Sequence, residues 1–331
     1  MRATALLIAV AQAYTLQISP RYAYAPNAAA RVVQPCLAVT DSRPARTTTI
    51  EDDAIELVVP IDFFVLCRPG APADADKALC HAVLDAHRAG NALATADAID
   101  AIAHAGAPIA VELLGDDADC RTFRLPATAA SPTLTVREET FGTCGFGHRA
   151  WEAGVALAIW LSLEGRELVA GKRVLELGSG VGTGGLAAAL LHGADSVTLS
   201  DVSKVLPNLA HNVGLNGVAA RALELDWHAT DMPTAGQYDL VLAADCIYYE
   251  ADAPALAAAV ASHLAPGGQA VLMNRPRRAG DEGGAADALL ESLASMGLVG
   301  EGLETTELTI VNNFGRDELM LVRAQRSDPK R

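Results

Sequence analysis

The feature that most constrains the fold is the run Arg173-Val174-Leu175-Glu176-Leu177-Gly178-Ser179-Gly180-Val181-Gly182-Thr183-Gly184-Gly185, where a short apolar stretch meets a glycine cluster. An alanine- and leucine-rich segment follows at once, so the unit reads as strand, tight loop and helix. Glycine lets the backbone reach positive φ and approach a ligand closely, and the start of the following helix offers unpaired N–H groups. Such a loop cradles a nucleotide-like cofactor; the bland alternative is a tight turn in an ordinary α/β domain.

Downstream, strand and helix patterns alternate. Ser196–Ser200 reads as a strand, Leu206, Leu209 and Val213 mark a helix, and Ala222–Leu225 and Tyr238–Ala243 read as strands. Ala253–Leu264 is a helix stopped by Ala265-Pro266-Gly267-Gly268, Gln269–Asn274 a strand, and Ala285–Met296 a helix. Glu307–Val311 and Leu319–Ala324 flank a turn and read as a hairpin. This alternation predicts an α/β fold with a doubly wound, Rossmann-like parallel sheet and an antiparallel C-terminal edge.

Upstream, Ile50–Leu66 and Pro108–Leu114 have strand character, while Asp74–Arg88 and Thr95–His104 carry helical spacing. These segments hold no chemical constellation, and residues 49–130 are expected to form an accessory α/β region that holds a partner or extends the core. Thr133–Arg137 alternates as a strand and opens the main domain, expected over 131–326. Trp151–Leu161 then reads as a helix ending near Gly165.

The first 48 residues differ from the rest. Arg2 precedes an apolar run to Val10 and the small-residue triplet Ala11-Gln12-Ala13, and a basic, hydroxyl-rich stretch with Asp41 as its acid follows. Signal-like then transit-like character is expected to mark a bipartite plastid leader, the alternative being an alanine-rich tail on a cytoplasmic protein. The apolar run is too short to span a bilayer stably.

A net charge of −15 over 331 residues argues against a broad nucleic-acid footprint, which needs clustered Lys and Arg. The six cysteines, at 36, 67, 80, 120, 144 and 246, show no C-x-x-C pair and no zinc-like spacing with histidine, so they read as free thiols and no metal site is expected.

In a doubly wound sheet, ligands bind beyond the carboxyl ends of the strands. Gly178, Ser179 and Gly180 follow the first strand; Asp201 ends the second, where its carboxylate can accept from a ribose diol or cap the next helix. Asp226 and Trp227 end the third, offering an acceptor for an exocyclic amine and a plane for stacking. Ala244 and Asp245 end the fourth, facing the reacting centre. Gly180, Gly182 and Gly185 also satisfy G-x-G-x-x-G, but Glu176 and Gly178 precede them where a dinucleotide fingerprint has its first glycine directly after the strand.

This ordered set resembles the seven-β-strand, class I S-adenosylmethionine-dependent methyltransferases. Trp151-Glu152-Ala153, Val174 to Gly180, Leu199-Ser200-Asp201, Leu225-Asp226-Trp227 and Ala244-Asp245-Cys246-Ile247-Tyr248, the last a D-x-x-Y motif, are similar to the family 16 protein-lysine methyltransferases. Gly171 to Gly180 with Ala243-Ala244-Asp245 is most similar to members acting on elongation factor 2. The resemblance implies a seven-stranded methyltransferase sheet and S-adenosylmethionine as cofactor. It implies that Trp151, Glu176, Gly178, Ser179, Gly180, Asp201, Asp226, Trp227 and Ala244 form the cofactor site. Asp245 and Tyr248 would form the acceptor site, for a lysine of a protein substrate. The alternatives are another side chain such as histidine or arginine, a small molecule, or a non-catalytic module that retains the pocket.

Overall fold

The computed structural model describes residues 62–67, 108–113, 119–126, 132–229, 238–276, 284–298, 303–312 and 315–327. The leader and the helices expected at 74–88 and 95–104 lie outside the described residues.

The strands are β1 (Asp62–Cys67), β2 (Ile109–Leu113), β3 (Cys120–Arg124), β4 (Thr133–Arg137), β5 (Arg173–Leu177), β6 (Ser196–Asp201), β7 (Ala220–Glu224), β8 (Tyr238–Ala244), β9 (Leu264–Asn274), β10 (Glu304–Asn312) and β11 (Gly315–Gln325). The main helices are α1 (Glu152–Glu164), α2 (Thr183–Leu191), α3 (Leu206–Asn216), α4 (Ala253–His263) and α5 (Ala285–Ser295). All the strands join one eleven-stranded sheet in the order β4-β3-β2-β1-β10-β11-β9-β8-β5-β6-β7. The strands β7, β6, β5, β8 and β9 run parallel, β11 lies antiparallel against β9, and β10 pairs antiparallel with β11 to close the hairpin. Together these form the expected seven-stranded unit.

Of the remaining four strands, β1, β2 and β4 fall on segments expected as strands and β3 does not; that they join the main sheet goes beyond that expectation. β1 pairs antiparallel with β10, and β2, β3 and β4 continue as a meander, so the accessory region extends the main sheet. The boundary expected at residue 131 falls between β3 and β4, two paired strands. The long sheet curls: β4, at one edge, reaches α2 and α3, which themselves pack on β5, β6 and β7 toward the other edge.

This enclosure explains α1. Residues Ala153–Leu161 are all buried, with no polar face, because α1 lies against α2 while touching β1, β2, β8, β9 and β10. On α3, Asn208, Asn212 and Asn216 recur at helical spacing and face β4. Asn216 accepts the Thr135 N–H (2.9 Å) and donates to the Thr135 carbonyl (2.6 Å). Asn212 accepts the Arg137 N–H (2.8 Å), while Asn208 and Asn212 both donate to the Arg137 carbonyl. Amide side chains thereby supply the ladder that an edge strand lacks.

The inner parallel strands β5, β6 and β8 are largely buried on both faces, which is why they read as mostly apolar runs, whereas the edge strand β7 is only partly covered. Val174, Leu240 and Leu242 face the core shared with α1, α2 and the meander, while Leu175, Leu177, Val241 and Ala243 face the core under α4 and α5. By the same alternation Glu176 points toward α2. The break expected at Ala265–Gly268 does not delay β9 but appears as a register irregularity against β8, with Gly267 at φ 74°. Among the described residues no helix is long and apolar enough to cross a membrane.

Candidate active site

A cavity of about 240 Å3 opens at the carboxyl ends of β5, β6 and β8. All eleven residues expected at the site line it: Trp151, Glu176, Gly178, Ser179, Gly180, Asp201, Asp226, Trp227, Ala244, Asp245 and Tyr248. A more open depression of about 390 Å3 lies at the amino ends of the same strands, bordered by Arg173, Thr198, Arg221 and Tyr238. Its polar groups are already engaged, with Arg221 donating to Thr198 (3.1 Å) and Arg173 to Asp239 (3.0 Å), so we place the chemistry at the carboxyl ends.

The loop after β5 requires glycine. At Gly178, φ is 58°, and a Cβ would stand 2.7 Å from Cys246 Sγ and 2.8 Å from the Trp227 ring. Gly180, at φ 55°, lets the backbone of Gly147 approach a Cβ position to 3.4 Å, joining the loop to the segment before α1. Ser179 tightens the turn: its hydroxyl donates to the Glu176 carbonyl (3.2 Å) and accepts the Ser200 N–H (3.0 Å). Asp201 Oδ2 accepts the Gly180 N–H (2.8 Å) and Oδ1 the Val202 N–H (2.7 Å). Asp201 therefore braces the loop and does not cap α3, which starts five positions later at Leu206.

Glu176 is 2% exposed, beneath the first turn of α2, where a Cβ on Gly184 or Gly185 would meet its carboxyl oxygens at 2.5 and 2.8 Å. Burial pushes its carboxyl up to about 7; the Ser179 hydroxyl and the amides of Gly185 and Gly184 offset that only in part. Burial also raises Asp201, against the opposing N–H groups of Gly180 and Val202 and the charge of Lys204. Cys246 is fully enclosed and its thiol is driven well up, first by burial and then by Asp201 and Glu176, which makes it a packing group and not a nucleophile.

Asp245, 2% exposed at the end of β8, has φ 50° and is the one non-glycine residue with positive φ among those described. Its N–H donates to the Met273 carbonyl (2.8 Å), and Asn274 Oδ1 accepts the next N–H, that of Cys246 (3.1 Å), so neighbouring β9 holds the strained turn. Tyr248 stacks on Phe146 with centroids 4.9 Å apart, and Phe146 meets Phe141 edge-on at 5.4 Å. Phe141 and Phe146 are 57% and 49% exposed, so an aromatic rim borders the mouth.

Residue-by-residue reading had not assigned Phe146, Arg149, Lys204 or His228, which also line the cavity. For Phe146 the available signal was its place between Gly145 and Gly147. The arginine, whose guanidinium lies 4.8 Å over the Trp151 ring, had none, because nothing in the sequence aims it inward.

Glu176 Oε2 and Trp227 Nε1, both buried on residues of this cavity, make no well-formed hydrogen bond. An orphaned acceptor, an orphaned indole donor beside a glycine cradle and acids at successive strand ends fit a ligand with an ammonium, a ribose diol and an aromatic base. S-adenosylmethionine carries all three, with a sulfonium.

Residues 128–284 match the lysine methyltransferase family Methyltransf_16. The match spans a little under half of the chain. The chain is 40% identical over 130 residues to Protein N-lysine methyltransferase METTL21A of Danio rerio, covering 38% of this chain and 58% of the relative. It is 34% identical over 147 residues to EEF1A lysine methyltransferase 3 of Mus musculus, covering 44% and 62%. To Protein-lysine N-methyltransferase EEF2KMT of Homo sapiens it is 33% identical over 148 residues, covering 39% and 43%. The chain thus spans at most 62% of the length of these relatives, and identities of 33% to 40% do not select among them. The cavity that fits S-adenosylmethionine lies within this matched segment.

Proposed function

We propose that this protein is an S-adenosylmethionine-dependent methyltransferase that modifies lysine side chains of a protein substrate. The observation that carries the reading is Asp245: a buried carboxylate in a strained turn, opening into the same cavity as the Gly178–Gly180 cradle and flanked by the Tyr248–Phe146 stack.

When bound, the cofactor supplies an electrophilic methyl group on sulfur. The chain's own task is to align an acceptor in line with it and exclude water, which supplies most of the acceleration in a displacement of this kind. A lysine enters as an ammonium. Asp245 holds it by a charge-assisted hydrogen bond and orients the nitrogen lone pair once the proton has passed to water. The Phe146 and Tyr248 rings offer an apolar wall for the lysine methylenes. The positive φ at Asp245 aims the carboxylate in advance, so its orientation is not left to a flexible side chain. A chain of net charge −15 favours a basic segment around the acceptor. The relatives' names point to several protein substrates, among them EEF1A, so the substrate here is set by class: an exposed lysine in a basic context.

The test is transfer of labelled methyl from S-adenosylmethionine to a whole-cell extract, followed by hydrolysis and amino-acid analysis of labelled protein. Methyl-lysine is the expected product. Methyl-histidine or methyl-arginine would reassign the acceptor, label confined to small molecules would remove the protein substrate, and cofactor binding without transfer would leave a non-catalytic module.

A further inference from the structure

The meander β1–β4 lies outside most of the family match and carries no group that reaches the cavity directly, yet one chain of bonds runs from it to the cavity wall. On β3, Arg121 is 5% exposed, and its guanidinium sits 4.9 Å from the Phe123 ring centroid and 5.7 Å from that of Phe64. Its Nε and Nη2 donate to the two carboxylate oxygens of Glu112 on β2, at 2.8 and 2.5 Å. Nη1 donates to Glu138 Oε1 (3.2 Å) and to the carbonyl of Ala150 (3.5 Å), and the same Glu138 oxygen accepts the Ala150 N–H (2.9 Å). Both backbone groups of Ala150 are thus gripped from the meander. Beside this clamp, Glu139 N–H donates to the His148 carbonyl (2.8 Å), closing the base of the intervening loop.

Ala150 immediately precedes Trp151, a cavity residue and the N-cap of α1. Trp151 makes no side-chain capping bond, so no local signal fixes where this helix begins. The same residue positions the rim: its Nε1 donates to the Phe146 carbonyl (2.8 Å), and Arg149 stacks on its ring. A buried ion pair is a weak source of stability, because desolvating both charges offsets their attraction, and an apolar replacement is often neutral. The meander core of Phe64, Phe123, Leu134 and Val136 is already fully apolar around it. What the pair supplies is a fixed position for one peptide unit.

We infer that the β1–β4 meander is a positioning element for the cofactor site, acting through Arg121 and Glu138 on Ala150 and so on Trp151. This rests on the cofactor reading above. The rigid fork of arginine is required, since one side chain must serve Glu112, Glu138 and a carbonyl at once; a lysine keeps the charge but cannot span them.

The experiment is titration calorimetry of the full chain with S-adenosylhomocysteine, paired with thermal unfolding, for the parent, Arg121→Lys and Glu138→Ala. At least tenfold weaker binding is expected in both variants at a temperature where each is fully folded. Binding within twofold of the parent, whatever the change in Tm, would overturn the inference and leave the meander a purely stabilising cover. Should Arg121→Lys fail to fold, Glu138→Ala decides, because it removes the Ala150 N–H partner while leaving the Arg121–Glu112 pair intact. A parent chain that binds no S-adenosylhomocysteine would instead overturn the cofactor reading on which the inference stands.

Discussion

At the amino end of β5, Arg173 donates through its N–H, Nε and Nη2 to both oxygens of Asp239 on β8, all at 3.0 Å, and this bidentate pair holds the Asp239 carboxyl below its usual range. At the carboxyl end of the same strand, Glu176 has a buried oxygen with no well-formed hydrogen bond and a carboxyl raised to about 7. Three residues separate the two ends of β5, yet one end is satisfied internally and the other is left incomplete. A fold that can complete its polar pairs at one end and does not at the other has given that other end to a ligand. The backbone repeats the contrast: Asp245, at the carboxyl end of β8, holds a positive φ, a conformation that costs about 1–3 kcal/mol in a non-glycine residue.

If that contrast is functional, substitutions at the carboxyl end alter chemistry and binding, and those at the amino end alter only stability. Asp245→Ala is expected to have the largest effect: kcat for methyl transfer falls by roughly 10²–10⁴-fold, while titration with S-adenosylhomocysteine shows affinity within a few-fold of the parent. A parallel loss of binding would move Asp245 into the cofactor site. Gly178→Ala comes next, because the new Cβ meets Cys246 and Trp227 at 2.7 and 2.8 Å. Cofactor affinity should fall by at least tenfold, and denaturant unfolding should show a loss of about 1–3 kcal/mol.

Glu176→Gln sharpens the comparison through pH. The folded carboxyl, at about 7, holds its proton more tightly than the ordinary carboxyl at 4.5. Its contribution to stability is therefore fully present below pH 4.5 and is lost as pH rises toward and through 7, a change of about 3 kcal/mol. Unfolding followed at pH 4.5 and pH 8 should show the parent losing stability relative to the glutamine variant, which binds cofactor more weakly. A parent–variant difference that does not change with pH would mean that Glu176 is ionised throughout. The smallest effect belongs to Arg173→Ala: about a third of each side chain is exposed, so the pair contributes below about 1 kcal/mol, and cofactor affinity should not move.

The contrast also explains what was legible in the sequence. Parallel strands buried on both faces leave mostly apolar runs, and Asp201 and Asp245 stand out because the runs of β6 and β8 stop there, while Asp226 follows the half-covered edge strand β7 and stands out by its place in the same strand order. The glycine cradle was legible for the same local reason. The meander was not, since β1 pairs with β10 across most of the chain's length and no short-range pattern specifies such a pairing. The helix was legible through Leu206, Leu209 and Val213, but the role of Asn208, Asn212 and Asn216 depends on β4 lying against them. Nothing in the sequence sets Arg121 apart, because its partners come from β2 and from the segment after β4. Phe146 lies between two glycines, but its stacking on Tyr248 joins two loops separated in sequence by β5 to β8.

The most direct test of this account is titration of S-adenosylhomocysteine into three proteins: the parent, Gly178→Val at the carboxyl end of β5 and Asp239→Ala at the amino end. One site per parent chain, abolished in Gly178→Val and unchanged in Asp239→Ala, is the predicted result. Equal binding by the parent and Gly178→Val, or loss of binding in a folded Asp239→Ala, would contradict it.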